Sequence, residues 1–278
     1  WLTNRRLTAR GVEPWLVLDI ALWADPFGIL GGRLYHVATH PADYFYEGAD
    51  LLRIFYVWEG GLAILGAISL GAVGAYIGAR SAGLRFSAFA DALAPGLLLA
   101  QGIGRTGNYF NQELFGAPTG LPWGLQIDRP NPAIPVGIPD ATLFHPTFAY
   151  EMLWNILGAL VLIWVGRKLS LQWGRVFALY LVWYGIGRAF LETIRLDPAE
   201  LILGVRVNVW GALAAIALGV ILYLRQGFRH PGSEPSAYVP GRQWEPESEV
   251  DSPDDYYSVD DIAGASEKNS GSQGSTTS

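Results

Sequence analysis

Apolar residues run along this chain in six long segments, and each is close to the ~20 residues that cross a bilayer core. Polar stretches separate the segments, and few charges interrupt them. The first and the fifth segments carry charged residues and are the weakest of the set. The pattern predicts six membrane-spanning helices, at roughly 15–38, 61–79, 87–103, 148–166, 176–195 and 206–224.

Basic residues are concentrated in alternate connections between these segments. Cytoplasmic connections of membrane proteins carry an excess of arginine and lysine. We therefore expect the four basic regions, and with them both ends of the chain, to lie inside the cell. The connections at 39–60, 104–147 and 196–205 are then extracytoplasmic. The basic groups are Arg5, Arg6 and Arg10; Arg80 and Arg85; Arg167, Lys168 and Arg175; and Arg225 and Arg229.

Composition agrees with a membrane protein. The chain is 51% hydrophobic and only 16% charged, whereas a soluble domain has about 25% charged residues. Eleven tryptophans and 34 glycines point the same way, since both residue types are enriched in membrane proteins. The chain has no cysteine, which excludes disulfides, thiolate metal sites and a thiol nucleophile supplied by the protein itself.

The last part of the chain differs from the rest. Residues 231–278 hold ten acidic and two basic residues and are rich in serine, glycine and proline. Residues 1–230 therefore carry a net charge of +2, although the whole chain carries −6. A segment of this composition cannot bury a core. We expect an all-α transmembrane domain at 1–230 and a disordered, acidic cytoplasmic tail at 231–278.

A polar motif, GIGRTGNYFNQELFG, follows the third apolar segment at residues 102–116. Arg105 offers a fork of donors that keeps its charge, and Asn108 and Glu113 add an amide and a carboxylate nearby. This set suits a phosphate or a phosphate ester. A single arginine at this position would be explained by anchoring to lipid headgroups. An arginine, amides and a carboxylate so close together favour a binding site instead. The embedded GxGxxG pattern lacks the preceding strand of a dinucleotide fold.

A second constellation lies in the fifth segment. Tyr184, Arg188 and Glu192 are spaced i, i+4 and i+8, so they share one helix face, with Arg195 beside them. A charge within a membrane helix costs at least ~2.5 kcal/mol and usually faces a partner or a cavity. Arg188 and Glu192 therefore indicate a site, and the alternative is a self-neutralising pair that only joins helices.

Two further motifs are weaker signals. HPTFAYE, at 145–151, places Tyr150 and Glu151 in the first turn of a helix, where interface aromatics and carboxylates are common. GGRLYHV, at 31–37, places Arg33 near the end of the first segment, where an arginine that anchors to lipid is a fair alternative.

Other kinds of chemistry find little support. HVATH, at 36–40, has the histidine spacing of a zinc hydrolase but lacks its glutamate. No GxSxG or GxxxxGKS motif occurs, and no basic stripe points to nucleic acid. We expect no metal, no cofactor and no nucleic-acid partner.

Together the four motifs resemble those of the prolipoprotein diacylglyceryl transferase family, bacterial inner-membrane enzymes. The family hallmark reads close to GRxGNFxNxELxG, and this chain has GRTGNYFNQELFG at 104–116. GGRLYHV, HPTFAYE and RAFLETIR follow the family's order, and the resemblance covers about residues 15–224. It implies seven membrane helices, the first of which would precede Trp1, and a site that faces the outer leaflet.

The resemblance implies transfer of the diacylglyceryl group of phosphatidylglycerol to the thiol of a lipobox cysteine in a preprolipoprotein. Glycerol phosphate leaves, and the substrate supplies the thiol. The implied catalytic residues are Arg105, Arg188 and Glu192. The implied lipid-binding residues are Arg105, Asn108, Glu113, Gly116, Arg33, Tyr150 and Glu151. Two alternatives stay open: a phospholipid or anion transporter with the same arginines, and a structural membrane protein that binds the headgroup without chemistry. Transporters often have repeated halves, and none is evident.

One position departs from the family. After the glycines of VWEGG, many members carry a histidine that has been proposed as catalytic, and this chain has Leu65. A mechanism that needs that histidine as base cannot operate here. Two sources of a thiolate remain, the positive field of Arg105 and Arg188 or His145 as base.

Overall fold

A computed structural model describes residues 1–196 and 201–244 of the chain. Residues 1–243 form one unit, and a second unit, 244–278, is described only at Trp244. Most of the predicted acidic tail therefore lies outside the described residues. The helices are α1 (Leu2–Thr8), α2 (Leu16–Thr39), α3 (Ile64–Ser81), α4 (Phe86–Phe110), α5 (Thr147–Lys168), α6 (Arg175–Glu192) and α7 (Val207–Arg229).

Six of these helices, α2 to α7, occupy the six predicted segments. Four of them, α3, α4, α5 and α7, are long and apolar enough to cross a membrane. The described structure is thus mostly helical and has the character of a multi-pass membrane protein. The charged residues within α2 and α6 set these two helices apart, so their crossing of the bilayer stays a prediction.

The predicted loop at 104–147 is wrong at its start, because α4 continues to Phe110. Half of the hallmark motif is therefore helical. Arg105 and Asn108, which are three residues apart, consequently lie on one face of the helix, and Arg105 NH1 donates to Asn108 Oδ1 at 3.3 Å. Glycines in the motif lower helix propensity in water but are common in membrane helices.

The helices pack in neighbouring pairs. α2 lies along α3, α4 along α5 and α6 along α7, while α4 also contacts α6. Small residues allow the closest approach, as at Gly66, where a methyl group would lie 2.1 Å from the carbonyl oxygen of Gly31. These contacts bring the last turns of α4, the first turns of α5 and the end of α6 together.

Short elements that the all-α prediction missed lie between the helices. Three two-residue strands, β1 (Pro118–Thr119), β2 (Leu125–Gln126) and β3 (Leu143–Phe144), form an antiparallel sheet in the order β1-β3-β2. A small apolar core beneath this sheet includes Phe115 and Phe144. A hairpin of β4 (Leu201–Ile202) and β5 (Val205–Arg206) precedes α7, and α1 occupies what was predicted as a basic loop.

Residues 231–243, here called the terminal strap, follow α7 and pack against three connections. The side chain of Glu234 pairs with Arg10 and accepts from Ser87 Oγ at 3.1 Å. Glu13 N donates to Tyr238 Oη at 3.1 Å, and the Gln172 side chain contacts the backbone of Glu234. Burial raises the pKa of the Tyr238 hydroxyl.

The strap corrects the predicted start of the disordered tail. Ala237 and Tyr238 are buried, and the backbone of this segment bonds to Gly83 and Arg85. Composition gave no sign of this, because the burial involves a short apolar pair rather than a core. The strap also shows that the connections α1–α2, α3–α4 and α5–α6 lie together at one end of the helices.

Candidate functional site

Charged side chains from three helices, and one from the residue just before α7, meet where α4, α5 and α6 come together. Among the described residues this arginine–carboxylate cluster joins two carboxylates to arginines from distant parts of the chain. Its members are Arg105 on α4, Glu151 on α5, Arg188 and Glu192 on α6, and Arg206 just before α7.

Glu192 is the most enclosed member, with 1% of its surface exposed. Arg188 NH2 lies 3.1 Å from Glu192 Oε2, which is the i, i+4 pair predicted from the sequence. Arg206 Nε lies 2.9 Å from Glu192 Oε1, and Asn208 Nδ2 donates to the same oxygen at 3.0 Å. Arg195 NH1 is 3.9 Å from Oε2. Glu192 therefore fixes the guanidinium of Arg188 from one side.

Glu151 is the second carboxylate, and two arginines share it. It forms an ion pair with Arg105 Nε through Oε2, while Arg188 NH1 lies 3.8 Å from Oε1. Glu151 is 8% exposed. Arg105 Nε is buried and has no aligned hydrogen bond within the described residues. Two guanidinium groups from different helices thus converge on one carboxylate, and one of them has a donor that a better-placed acceptor could engage.

A chain of amides extends from Arg105 to the surface. Asn108, which accepts from Arg105, donates through Nδ2 to Glu113 Oε1 at 2.9 Å. Asn111 Nδ2 donates to the same carboxylate oxygen at 3.2 Å. Glu113 is exposed, and beside Arg105 an added methyl group at Gly104 would meet no atom within 4 Å. This side of the cluster is therefore open.

A tryptophan pair, here called the indole clasp, joins α5 to α6 close to the cluster. Trp154 and Trp183 stack with ring centroids 4.5 Å apart. Trp154 Nε1 donates to Trp183 O at 3.2 Å, and Trp183 Nε1 donates to Trp154 O at 3.1 Å. Gly158 and Gly187 face the rings, and a methyl group on either would lie 2.2 Å from the opposing Nε1. The clasp fixes the two helices near Glu151 and Arg188.

Arg33 does not join the cluster, and its surroundings argue against the predicted lipid contact. The residue is 5% exposed, and its guanidinium donates to four backbone carbonyls of the segment that connects α2 and α3. Its ring neighbour is Tyr44, 5.0 Å from the guanidinium carbon. Arg33 therefore holds this connection in place. The acceptors are the carbonyls of Arg53, Ile54, Gly60 and Gly61.

Gly116 also has contacts that differ from the predicted lipid binding. Its backbone pairs with Arg195 and donates to His145 O at 2.9 Å. A methyl group on Gly116 would lie 2.8 Å from His145 Cβ and 2.9 Å from Thr147 Cγ2. These contacts favour a packing role, in which the absence of a side chain lets the hallmark motif join the ends of α5 and α6.

Tyr150 and His145 form a separate polar chain beside Glu151. Tyr150 Oη accepts from Trp123 Nε1 at 3.0 Å and lies 3.1 Å from His145 Nδ1. Within the described residues, these hydrogen bonds do not extend to Arg105 or Arg188. Leu65, at the position where family members often have histidine, lies in the first turn of α3 and is exposed.

Sequence reasoning missed Arg206 and Asn208 as members of this site. Both lie at the start of α7 and contact Glu192, which precedes Asn208 by sixteen residues in the sequence. The available signal was the polar pair in VRVNVW, which interrupts an apolar segment. The indole clasp was missed as well, because two tryptophans in membrane helices have no distinctive spacing.

Residues 1–225 match a protein family described as prolipoprotein diacylglyceryl transferase. A relative from Leifsonia xyli subsp. xyli, called phosphatidylglycerol–prolipoprotein diacylglyceryl transferase, is 59% identical over 258 residues, which cover 90% of this chain and 77% of the relative. A second, from Streptomyces coelicolor, is 51% identical over 87% of this chain and 75% of its own length. A third, from Paenarthrobacter aurescens, is 50% identical over 85% and 77%.

Proposed function

The chain belongs to the prolipoprotein diacylglyceryl transferase family, and we propose that it lipidates the lipobox cysteine of preprolipoproteins. The diacylglyceryl group of phosphatidylglycerol moves to the cysteine thiol, and glycerol phosphate leaves. It is a transferase of lipoprotein biosynthesis, as its relatives' names state for them. The lipobox cysteine as acceptor and the residue roles below are our proposals.

One observation in the structure supports the proposal most strongly. Arg105 and Arg188 come from different helices and converge on a single carboxylate. Two guanidinium forks that converge on one carboxylate suit the oxygens of a phosphate diester, since each can donate two parallel hydrogen bonds. Preorganised charge of this kind stabilises the developing negative charge on a departing phosphate and often contributes most to catalysis.

The neighbouring residues would position the lipid. Asn108 and Glu113, which lie at the open side of Arg105, would orient the hydroxyl groups of the glycerol headgroup. Glu192, held by Arg206 and Asn208, would keep Arg188 aimed at the phosphate. The thiol would then attack the glycerol carbon that carries the phosphate.

We also propose the bacterial cytoplasmic membrane as the location, with the site towards the outer leaflet. The relatives are bacterial proteins, and the terminal strap gathers three arginine-rich connections at one end of the helices. By the positive-inside rule that end, and with it the acidic tail, faces the cytoplasm. Arg105 lies near the opposite end of α4 from these connections.

The direct test uses purified full-length protein with phosphatidylglycerol and a lipobox peptide. We expect a peptide with a thioether-linked diacylglyceryl group, identified by mass. A matched peptide with serine in place of the cysteine should give no product, and phosphatidylethanolamine in place of phosphatidylglycerol should test the headgroup preference. Lipid binding without product would favour a transporter or a binding protein.

A further inference from the structure

We propose that Glu151 is a substrate-displaced base, a role that rests on the proposed function. In the lipid-free protein its carboxylate is the shared counter-ion of Arg105 and Arg188. When the lipid phosphate takes over these two arginines, the carboxylate accepts the proton of the attacking thiol. One side chain would thus hold the empty site together and activate the nucleophile only after the lipid has bound.

Three carboxylates lie close enough to the two arginines to be compared. Glu192 forms ion pairs with Arg188 and Arg206 and accepts a hydrogen bond from Asn208, and it is almost completely enclosed, so no thiol can reach it without breaking these contacts. Glu113 is exposed and holds two asparagine amides. Glu151 is the carboxylate that lies between Arg105 and Arg188.

The contacts of Glu151 are of a kind that a phosphate can replace. Arg188 NH1 is 3.8 Å from Glu151 Oε1, which is longer than a good hydrogen bond. Arg105 Nε is paired with the carboxylate by charge, yet it makes no aligned hydrogen bond within the described residues. A phosphate has more acceptor oxygens and would satisfy both forks together, so it competes well for them.

The surroundings of Glu151 define what remains after the exchange. Arg105 faces it from α4 and Arg188, paired with Glu192, from α6, while its sequence neighbour Tyr150 bonds to His145. With both arginines held by phosphate, a largely buried carboxylate would face a new negative charge. The carboxylate would then have lost both of its counter-ions and would be available to accept the thiol proton as a general base.

The proposed step balances without a further reactant. The thiol proton moves to an oxygen of Glu151, and the sulfur electron pair forms the bond to the glycerol carbon. The bond from that carbon to the phosphate oxygen breaks, and its electrons leave with glycerol phosphate, which Arg105 and Arg188 hold. After product release Glu151 returns its proton to water and pairs again with the arginines.

The test compares a cysteine and a selenocysteine lipobox peptide on Glu151→Gln. A selenol is ionised at neutral pH and needs no base, whereas a thiol with a pKa of about 8.5 is mostly protonated. We expect the variant to lose at least about 100-fold in turnover with the cysteine peptide, the scale of general-base catalysis. With the selenocysteine peptide it should stay within about threefold of the wild-type rate.

The ratio of the two rates does not depend on how much of a preparation is folded. Glu234→Gln, the same change at a buried carboxylate of the terminal strap, is the matched control and should keep the wild-type ratio. Glu151→Asp retains a carboxylate and should also keep that ratio within about threefold, even if both rates fall. This variant can be measured if Glu151→Gln does not accumulate as folded protein.

Three results would overturn the proposal. An equal loss with both peptides in Glu151→Gln would leave Glu151 only a role in holding the arginines, and an unchanged cysteine rate would place the base elsewhere. A changed ratio in Glu151→Asp would also contradict it. If the wild-type protein lipidated neither peptide, the transferase function itself would be refuted, which is a separate outcome.

Discussion

The two ends of α4 both carry a charged side chain, but they hold it in different ways. Asp91 lies near the first end, and its oxygens accept from Gly174 N at 2.8 Å and Phe177 N at 2.9 Å. Arg105 lies near the other end, about 21 Å away at 1.5 Å per residue. There it shares the carboxylate of Glu151 with Arg188 instead of having one of its own.

The difference separates a structural charge from a functional one. Asp91 is matched to the first turn of α6, where unpaired backbone N–H groups and the helix dipole favour a carboxylate. Glu234 in the terminal strap likewise has Arg10 and Ser87 as its own partners. At the Arg105 end the arginines compete for acceptors, which leaves them ready for an anion that comes from outside the protein.

The largest expected effect is at the shared arginines. Arg105→Lys and Arg188→Lys keep the charge but lose the planar fork, so we expect each to lower turnover by about 100-fold or more. Arg10→Lys makes the same change at the strap end and should stay within about threefold. The measurement is turnover per folded protein. Near-normal rates in both site variants would show that these arginines only anchor the protein to lipid headgroups.

The indole clasp offers a smaller change at the site end without touching a charge. In Gly187→Ala the new methyl group would lie 2.2 Å from Trp154 Nε1, so the clasp must shift and move Arg188, the next residue. We expect kcat to fall about tenfold with little change in the KM for lipid. Gly211→Ala in α7, where an added methyl group meets no atom within 4 Å, is the control. Equal rates in the two variants would show that the clasp does not position Arg188.

At the opposite end the expected effect is on stability rather than on chemistry. Asp91→Asn removes one of two acceptor oxygens from a residue that is 2% exposed, so we expect unfolding to become easier by about 1–3 kcal/mol. Thermal unfolding in detergent measures this. Asp19→Asn, at an exposed position of α2, should change the midpoint little. A selective loss of turnover in folded Asp91→Asn would contradict the separation of the two ends.

The smallest effect on activity is expected from the tail. A chain truncated after Gln243 keeps the terminal strap and should match the full chain in both activity and unfolding midpoint. A chain truncated after His230 loses the contacts of Glu234 and Tyr238 and should unfold at a lower temperature. Its turnover should still fall by less than about tenfold. Equal midpoints in the two truncated chains would show that the strap adds no stability.

Local patterns in the sequence predict the helices and one pair of site residues. Six apolar segments are enough to locate α2 to α7, and the spacing of Arg188 and Glu192 fixes their contact, because residues four apart on a helix are neighbours. The hallmark motif likewise identifies Arg105 as a site residue, although the polar residues after the third apolar segment led to a predicted loop where α4 continues.

Contacts between distant residues could not be predicted in this way. The pairing of Arg105 with Glu151 and of Glu192 with Arg206 depends on how α4, α5, α6 and α7 pack. The spacing of residues along the sequence does not determine that packing. At Arg33 the sequence suggested a contact that the structure does not favour. Its charge and position suggested binding of a lipid headgroup, whereas its guanidinium donates to backbone carbonyls of the protein.

The central claim is that Arg105 and Arg188 hold the phosphate that leaves during transfer. The most direct measurement follows glycerol phosphate and lipidated peptide together in purified wild-type, Arg105→Lys, Arg188→Lys and Arg10→Lys proteins supplied with phosphatidylglycerol. The account predicts one glycerol phosphate for each thioether in the wild-type and Arg10→Lys proteins, and a joint loss of both products in the other two. Full release of both products by Arg105→Lys and Arg188→Lys would contradict it.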